Sequence, residues 1–307
     1  MKACIDIGGT KVAVSLNDGN GLELLARRSE PTAKTGSNDA LARQIIRMAD
    51  DACREVGIEP SSVRAAGVSS CGPFVMVHGL VELAAPNICG GIAGPQRGLP
   101  NDWKTAVLEQ PLLERFGQVR IENDCIGALE AERRWGALQG VDHCAYVTWS
   151  TGIGTGLCVD GKVLRGKNGN AGHAGHMFVS DNTDAVCGCG NVGDVEALVA
   201  GNAVERRFGA DAATLLQRAQ AGDGQAVATV DELCRVLGRA LYNLIVTLDL
   251  QRISMGGSVF TNNRDYLLPR LRDVVRGHLP ALTDGCDIVG AGLEARVGDY
   301  AALALVA

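Results

Sequence analysis

The chain has 307 residues and a formal net charge of −6, with 46% hydrophobic and 21% charged residues. That balance describes a soluble globular protein long enough for two domains, and it argues against the basic footprint that nucleic acid or an anionic membrane surface requires. The eleven Cys have no framework spacing, the start MKACIDIGGT has no apolar signal region, and no apolar run reaches transmembrane length; a reducing, cytoplasmic setting is expected.

Ala3 to Ile7 is a short apolar strand running into Asp6-Ile7-Gly8-Gly9-Thr10-Lys11, and Val12 to Leu16 is a second strand ending at the turn Asn17-Asp18-Gly19. Strand, Gly-rich turn, strand predicts a hairpin. Leu41, Ile45, Met48, Ala49, Ala52 and Val56 recur at helical spacing, with Gly57 as the stop. Val63 to Val68 reads as a strand. Val119 to Glu122 reads as another, leading to Asn123-Asp124 and a helix from Ile126 to Trp135 that Asp124 is placed to cap. Cys144 to Trp149 forms a strand before Ser150-Thr151-Gly152-Ile153-Gly154-Thr155-Gly156, and Leu157 to Val159 continues the chain to an Asp160-Gly161 turn. Leu233, Leu237, Ala240, Leu241, Leu244, Ile245 and Leu248 form a helical stripe that reads as core. Arg252 to Met255 is a strand ending at Gly256-Gly257-Ser258, and Asp299 to Val306 is a closing apolar helix.

The stretches CIDIGGTKVAVSLNDG and YVTWSTGIGTGLCVDG share one plan: strand, Gly/Thr turn, strand, Asp-Gly turn. This predicts an internal duplication, two α/β halves whose Gly/Thr turns face one cleft, although two Gly-rich hairpins can also arise independently. A turn built of Gly8, Gly9 and Thr10 exposes backbone N–H groups and a hydroxyl without side-chain obstruction, which suits phosphate oxygens. Asp6 beside it is placed to hold the Mg²⁺ of a nucleotide through water. Thr151, Gly152, Gly154 and Thr155 repeat that chemistry. Tight turns also need Gly with no ligand present, so each alone is weak and the pair carries more. Two pattern matches fail: Gly188-Cys189-Gly190-Asn191-Val192-Gly193 follows no apolar strand, and Gly156 to Lys162 has Val163 where a Walker A loop needs Ser or Thr.

Taken in order, Asp6-Ile7-Gly8-Gly9-Thr10-Lys11, Glu122-Asn123-Asp124, Thr151-Gly152-Ile153-Gly154-Thr155-Gly156, Gly175-His176 and Cys187-Gly188-Cys189-Gly190-Asn191 with Glu196 resemble the ROK (repressor, open reading frame, kinase) sugar kinases. The resemblance implies an actin/hexokinase-like, ribonuclease H-like α/β fold: duplicated domains flanking an active-site cleft. Residues 1–122 would form a smaller N-terminal domain joined by the C-terminal helix 291–307, and residues 123–290 a larger one with a zinc-module loop. It implies an ATP-dependent, Mg²⁺-requiring kinase of a hexose, amino sugar or sugar-like cyclitol, with Asp124 as general base. A carboxylate at a strand end can take the proton of an attacking hydroxyl; a helix cap is its other reading, and one residue can serve both. By the same resemblance Gly72, Asn87, Asn123, His173, His176 and Glu196 line the sugar pocket. Gly8, Gly9, Thr10, Lys11, Thr151, Gly152, Gly154 and Thr155 belong to the nucleotide, and Gly256 and Gly257 form the turn at its adenosine. For Asn87 an ordinary Pro-Asn turn stands as the alternative. Relatives are commonly dimers or tetramers, so a homo-oligomer is implied.

Two departures stand out. His176, Cys187 and Cys189 match three ligands of the family's zinc module, but Asp194 replaces the third Cys. A His-Cys₂-Asp tetrahedron suits Zn²⁺, while a harder carboxylate ligand also suits a weakened or metal-free loop. Sugar-phosphorylating relatives carry Glu where this chain has His173. A carboxylate only accepts hydrogen bonds, whereas a neutral imidazole offers one donor and one acceptor. Either the substrate differs from glucose at its C1/C2 end, or His173 is a tolerated exchange in an ordinary sugar kinase. Two other functions compete: a sugar-binding protein of the same fold without catalysis, and a sugar-responsive repressor. The repressor would carry a helix-turn-helix before the first turn, which here begins at Asp6.

Overall fold

The first hairpin forms as its residues dictate. Lys2–Ile7 (β1) and Lys11–Asn17 (β2) pair antiparallel, with Ile7 opposite Val12, and the Gly8 N–H donates to the Lys11 carbonyl at 2.9 Å to close the turn. The structure is a computed structural model and describes residues 1–93, 98–181 and 184–307. Next come Leu25–Pro31 (β3), Ala65–Ser70 (β4), Phe74–Val77 (β5), Leu80–Leu83 (β6), Ala106–Val107 (β7) and Gln118–Asn123 (β8). They are followed by Cys144–Trp149 (β9), Ile153–Val159 (β10), Lys162–Val163 (β11), Arg252–Gly256 (β12) and Asp287–Gly290 (β13).

The duplication is visible in the sheets. One five-stranded sheet has the order β3-β2-β1-β4-β8 and the other β11-β10-β9-β12-β13. In each, the first three strands are antiparallel neighbours and the last two join in parallel. Thus β1 corresponds to β9 and β4 to β12, and each Gly/Thr turn sits at the same place in its own sheet. A smaller antiparallel sheet, β5-β6-β7, extends the first half.

The chain divides into two compact units, Met1–Ala131 with Arg165–Ala171 and Gly298–Ala307, and Glu132–Leu164 with Gly172–Val297. The division therefore falls after residue 131 rather than 122, and a segment of the second half, 165–171, belongs with the first. The boundary moves because the helix Asp124–Trp135 packs its first turns within the first unit, where a Cβ on Gly127 would sit 3.1 Å from the Ala301 Cβ. The C-terminal helix is Val297–Ala304, starting two residues earlier than the apolar stretch Asp299 to Val306 and six residues after the 291 of the domain reading. Its close approach needs Gly67 in β4, where a Cβ would lie 2.1 Å from the Ala302 carbonyl oxygen.

Each unit has its own core. In the first, the helix Ala40–Glu55 buries Leu41, Ile45, Met48, Ala49 and Ala52 with Ile5, Val14 and Leu16 of the sheet. In the second, the helix Gly224–Leu248 buries Leu233, Leu237, Ala240, Leu241, Leu244 and Ile245, and Asp223 caps it by accepting from the Gln225 and Ala226 N–H groups. Each buried Leu or Ile contributes about 1.5–3 kcal/mol by leaving water. Glu132 is fully buried, yet it accepts from Ala137, Gly292 and Leu293 N–H groups and from the Ser254 hydroxyl, so its carboxylate is satisfied. Among the described residues no helix is long and apolar enough to cross a membrane, and all eleven cysteines are free thiols.

Candidate active site

In the first unit, Asp6 lies in β1 opposite Ala13 of β2 and Ser69 of β4. Burial pushes its carboxyl up to about 6, and the negative charges of Asp124 and Asp299 add to the rise. Asp124 is exposed, the first residue of the helix that follows β8. Asn123 and Asp124 each accept from the Cys125 N–H, at 3.0 and 2.8 Å. The helix start is thus capped jointly, and Asp124 keeps its carboxylate at the surface. Burial, with the charges of Asp124 and Asp6, also pushes the Cys71 thiol up to about 12.

The Gly8-Gly9-Thr10 turn is braced by Thr32, whose hydroxyl donates to the Gly8 carbonyl at 2.7 Å and whose N–H donates to the Thr10 carbonyl at 3.1 Å. The N–H groups of Gly9 and Thr10 have no partner among the described residues. Thr10 and Lys11 are exposed. Asn87 lies directly on the turn: a Cβ on Gly9 would sit 2.0 Å from Asn87 Nδ2. Gly72 follows Cys71, whose N–H donates to the Ile7 carbonyl at 2.9 Å.

The second unit repeats the turn. Ser150 N–H donates to the Gly152 carbonyl at 3.0 Å, Thr151 is exposed, and the Thr151 and Gly152 N–H groups have no partner among the described residues. Gly154 lies in β10 opposite Thr148. Thr155 differs from the sequence-based reading. It is buried, and both its N–H and its hydroxyl donate to the Gly172 carbonyl, so it holds the approach to His173 instead of facing a phosphate. Glu196 meets this turn through Oε2, which accepts from the Ile153 N–H at 3.0 Å. Gly256 and Gly257 are obligatory for space: a Cβ on Gly256 would lie 2.3 Å from the Tyr146 hydroxyl, and one on Gly257 2.4 Å from the Trp149 carbonyl oxygen. Next to them opens a pocket of about 510 Å³ lined by Thr151, Gly201, Ala212, Leu216, Ser258 and Asn262, among others. The Gly/Thr turn and the Gly256-Gly257-Ser258 turn supply Thr151 and Ser258; no motif announced Gly201, Ala212, Leu216 or Asn262, which come from separate helices.

The metal-module residues come together in the same unit. His176 Nδ1 lies 3.2 Å from Asp194 Oδ2, 3.8 Å from Cys187 Sγ and 3.6 Å from Cys189 Sγ, and all four ligand atoms lie within 4.8 Å of one another. Those separations suit the corners of a tetrahedron around Zn²⁺ with bonds of about 2.0–2.3 Å. Asp194 is fully buried; Oδ2 faces the cluster while Oδ1 accepts from the Ala197 N–H at 2.7 Å, capping the helix that carries Glu196. His173 stacks toward His176 with ring centroids 6.2 Å apart.

The sequence profile of the ROK family matches residues 2–307. The chain belongs to the ROK family. It is 33% identical over 266 residues to an N-acetylmannosamine kinase of Salmonella paratyphi B, covering 83% of this chain and 82% of the relative. A ROK hexokinase structure from Thermus thermophilus superposes with a TM-score of 0.79 at 32% identity, covering 99% of this chain and 97% of that one. A ROK glucokinase from Streptomyces griseus, solved with glucose and AMPPNP, gives 0.69 at 26% identity over 98% and 97%. The fold of this ROK protein is thus the actin-like sugar-kinase fold, and the paired sheets described above are its duplicated halves.

Proposed function

We propose that this ROK protein transfers the γ-phosphoryl group of MgATP to a hydroxyl of a hexose, amino sugar or sugar-like ring, with Asp124 as general base. The observation that carries the reading is Asp124 itself, an exposed carboxylate at a helix start in the same unit as the Gly8-Gly9-Thr10 turn, close enough to Asp6 for its charge to raise that carboxyl's proton affinity. The hydroxyl proton passes to the Asp124 carboxylate as the oxygen bonds to the γ-phosphorus and the bond to the β-phosphate oxygen breaks, releasing ADP. The N–H groups of Gly9, Thr10, Thr151 and Gly152 serve phosphate oxygens, and Lys11 adds a positive charge. The pocket beside Gly256, Gly257 and Ser258 takes the adenosine.

Asp6 has the hard oxygen donor that Mg²⁺ takes, and Mg²⁺ when bound neutralises charge on the phosphates. Asn123 has its Oδ1 occupied by the helix cap, which leaves Nδ2 to donate to a sugar hydroxyl. Gly72 and Asn87 line the same side, and Glu196, His173 and His176 read the ring from the second unit's residues. Thr155 is assigned to positioning. His176, Cys187, Cys189 and Asp194 would hold Zn²⁺ as a structural ion that fixes the loop leading into the helix of Glu196. The free thiols fit a reducing cytoplasm.

The substrate proposed is a ring altered at C1/C2. A 2-acetamido group presents an amide N–H and carbonyl that a neutral His173 can match with one acceptor and one donor, and the similarity to an N-acetylmannosamine kinase makes N-acetylmannosamine the first compound to test. Turnover on N-acetylmannosamine, glucose and a valiolone-type cyclitol decides it: efficient preference for unmodified glucose would remove the C1/C2 assignment.

A further inference from the structure

Residues Arg165–Ala171 leave the second sheet after β11 and pack in the first unit. Among the described residues, Arg165 and Asn170 hold this strap. Arg165 Nε donates to Glu122 Oε1 at 2.5 Å, and Nη2 to Glu130 Oε1 at 3.2 Å. Asn170 grips a single residue at both of its backbone groups: Oδ1 accepts from the Phe74 N–H at 2.8 Å, and Nδ2 donates to the Phe74 carbonyl at 2.7 Å. This is the bond pair that a neighbouring antiparallel strand would supply, delivered by one amide to the first residue of β5.

The grip lies one residue from Gly72-Pro73. On the other side of those two, Cys71 N–H donates to the Ile7 carbonyl. The segment Cys71–Pro73 is therefore held at both ends, by β1 and by Asn170. Phe74 is itself buried in the first core and packs on the strap, where a Cβ on Gly169 would lie 3.4 Å from its ring.

We propose that Asn170 is a positioning residue for sugar recognition, resting on the sugar-kinase reading above: its amide fixes Phe74 and so sets Gly72, which lines the sugar side together with Asn87 and Asn123. The strap has a second anchor in Arg165, so removing the Asn170 amide frees Phe74 without releasing the strap. A residue serving only the fold would alter stability and the amount of active protein, but not the apparent affinity for one substrate of two.

The test is steady-state kinetics of the full chain with N-acetylmannosamine, glucose or the cyclitol, whichever the wild type turns over, in wild type, Asn170→Ala and Asn170→Asp, beside their melting temperatures. Sugar KM is expected to rise about tenfold in Asn170→Ala, the scale of one net hydrogen bond. It should rise at least as far in Asn170→Asp, whose carboxylate faces the Phe74 carbonyl, while KM for ATP and kcat stay within about twofold. Unchanged sugar KM, or parallel changes for sugar and ATP that track the melting temperature, overturns the proposal. Should Asn170→Ala fail to fold, Asn170→Asp, which keeps the volume and the bond from the Phe74 N–H, carries the same comparison. A wild type inactive on every sugar of the panel removes the kinase reading and this proposal with it; an active wild type with unaltered variant KM removes only the positioning role.

Discussion

Asp194 faces His176 with one carboxylate oxygen, at 3.2 Å from Nδ1, and caps the helix of Glu196 with the other. A thiolate at this position has one sulfur and cannot give one atom to a metal and a second to the Ala197 N–H. Asp194 therefore couples the loop to the Glu196 helix within one residue.

Metal content follows from this pair. The protein is expected to hold about one Zn²⁺ per chain, and Asp194→Cys to retain it, since thiolate is a favoured zinc ligand. Asp194→Ala should lose both the metal and the cap, the cap alone costing about 1 kcal/mol. Elemental analysis after dialysis against a mild chelator, with thermal melts, checks it; zinc-free wild type would rule out the four-ligand site.

Asp6 gives a pH dependence of definite sign. Its folded-state pKa of about 6 lies above the 3.8 of an unperturbed Asp, so between about pH 4 and pH 6 the native state keeps a proton that the unfolded chain has released. Stability therefore falls as pH rises through that window, by up to about 3 kcal/mol from this group once both states are ionised. Asp6→Asn should melt higher than wild type at pH 7.5, with the difference vanishing near pH 4, while MgATP-dependent turnover is lost. In the wild type, activity should fall as pH drops below about 6, because a protonated Asp6 would lack the negative charge that would hold the nucleotide's Mg²⁺. A variant with wild-type stability across this range would contradict the assignment.

Gly257 has φ +88, and its Cβ position lies 2.4 Å from the Trp149 carbonyl and 2.6 Å from Thr148 Oγ1. Gly257→Ala should destabilise the protein by at least about 1–3 kcal/mol and raise KM for ATP while leaving KM for the sugar near wild type, since Ser258 and Val259 of the adenosine pocket follow it directly. Melting curves with two-substrate kinetics read both effects.

His173 is expected to set the substrate. His173→Glu replaces a donor–acceptor pair with two acceptors and should shift kcat/KM toward glucose by about 10-fold or more, one hydrogen bond's worth of discrimination. Competition between N-acetylmannosamine and glucose measures it directly; an unaltered ratio would assign His173 to packing beside His176.

Most of what was readable in the sequence was local. The two Gly/Thr hairpins, the stripe from Leu233 to Ile245 and the strand Cys144–Trp149 follow from patterns a few residues long, and they form as expected. Residues acting across the sequence were not readable. Thr32 braces a turn more than twenty positions earlier, and Asn170 completes the edge of β5; Asn87 was named through the family resemblance, but not its place on Gly9. Thr155 was misread for the same reason: its hydroxyl looks free in a Gly/Thr motif, and only the fold brings the Gly172 carbonyl to it. The hairpin β5-β6 escaped notice because its turn places His78, not the usual Asn or Asp, at φ +51 ahead of Gly79.

The most direct test is ADP release by purified protein with MgATP, with and without each sugar, in wild type and Asp124→Asn. Sugar-dependent ADP release with a stoichiometric sugar phosphate is expected from the wild type, with kcat lower by roughly 10²–10⁴-fold in Asp124→Asn while the fold is kept. Sugar-independent ADP release, or an Asp124→Asn variant turning over at the wild-type rate, would contradict phosphoryl transfer with Asp124 as its base.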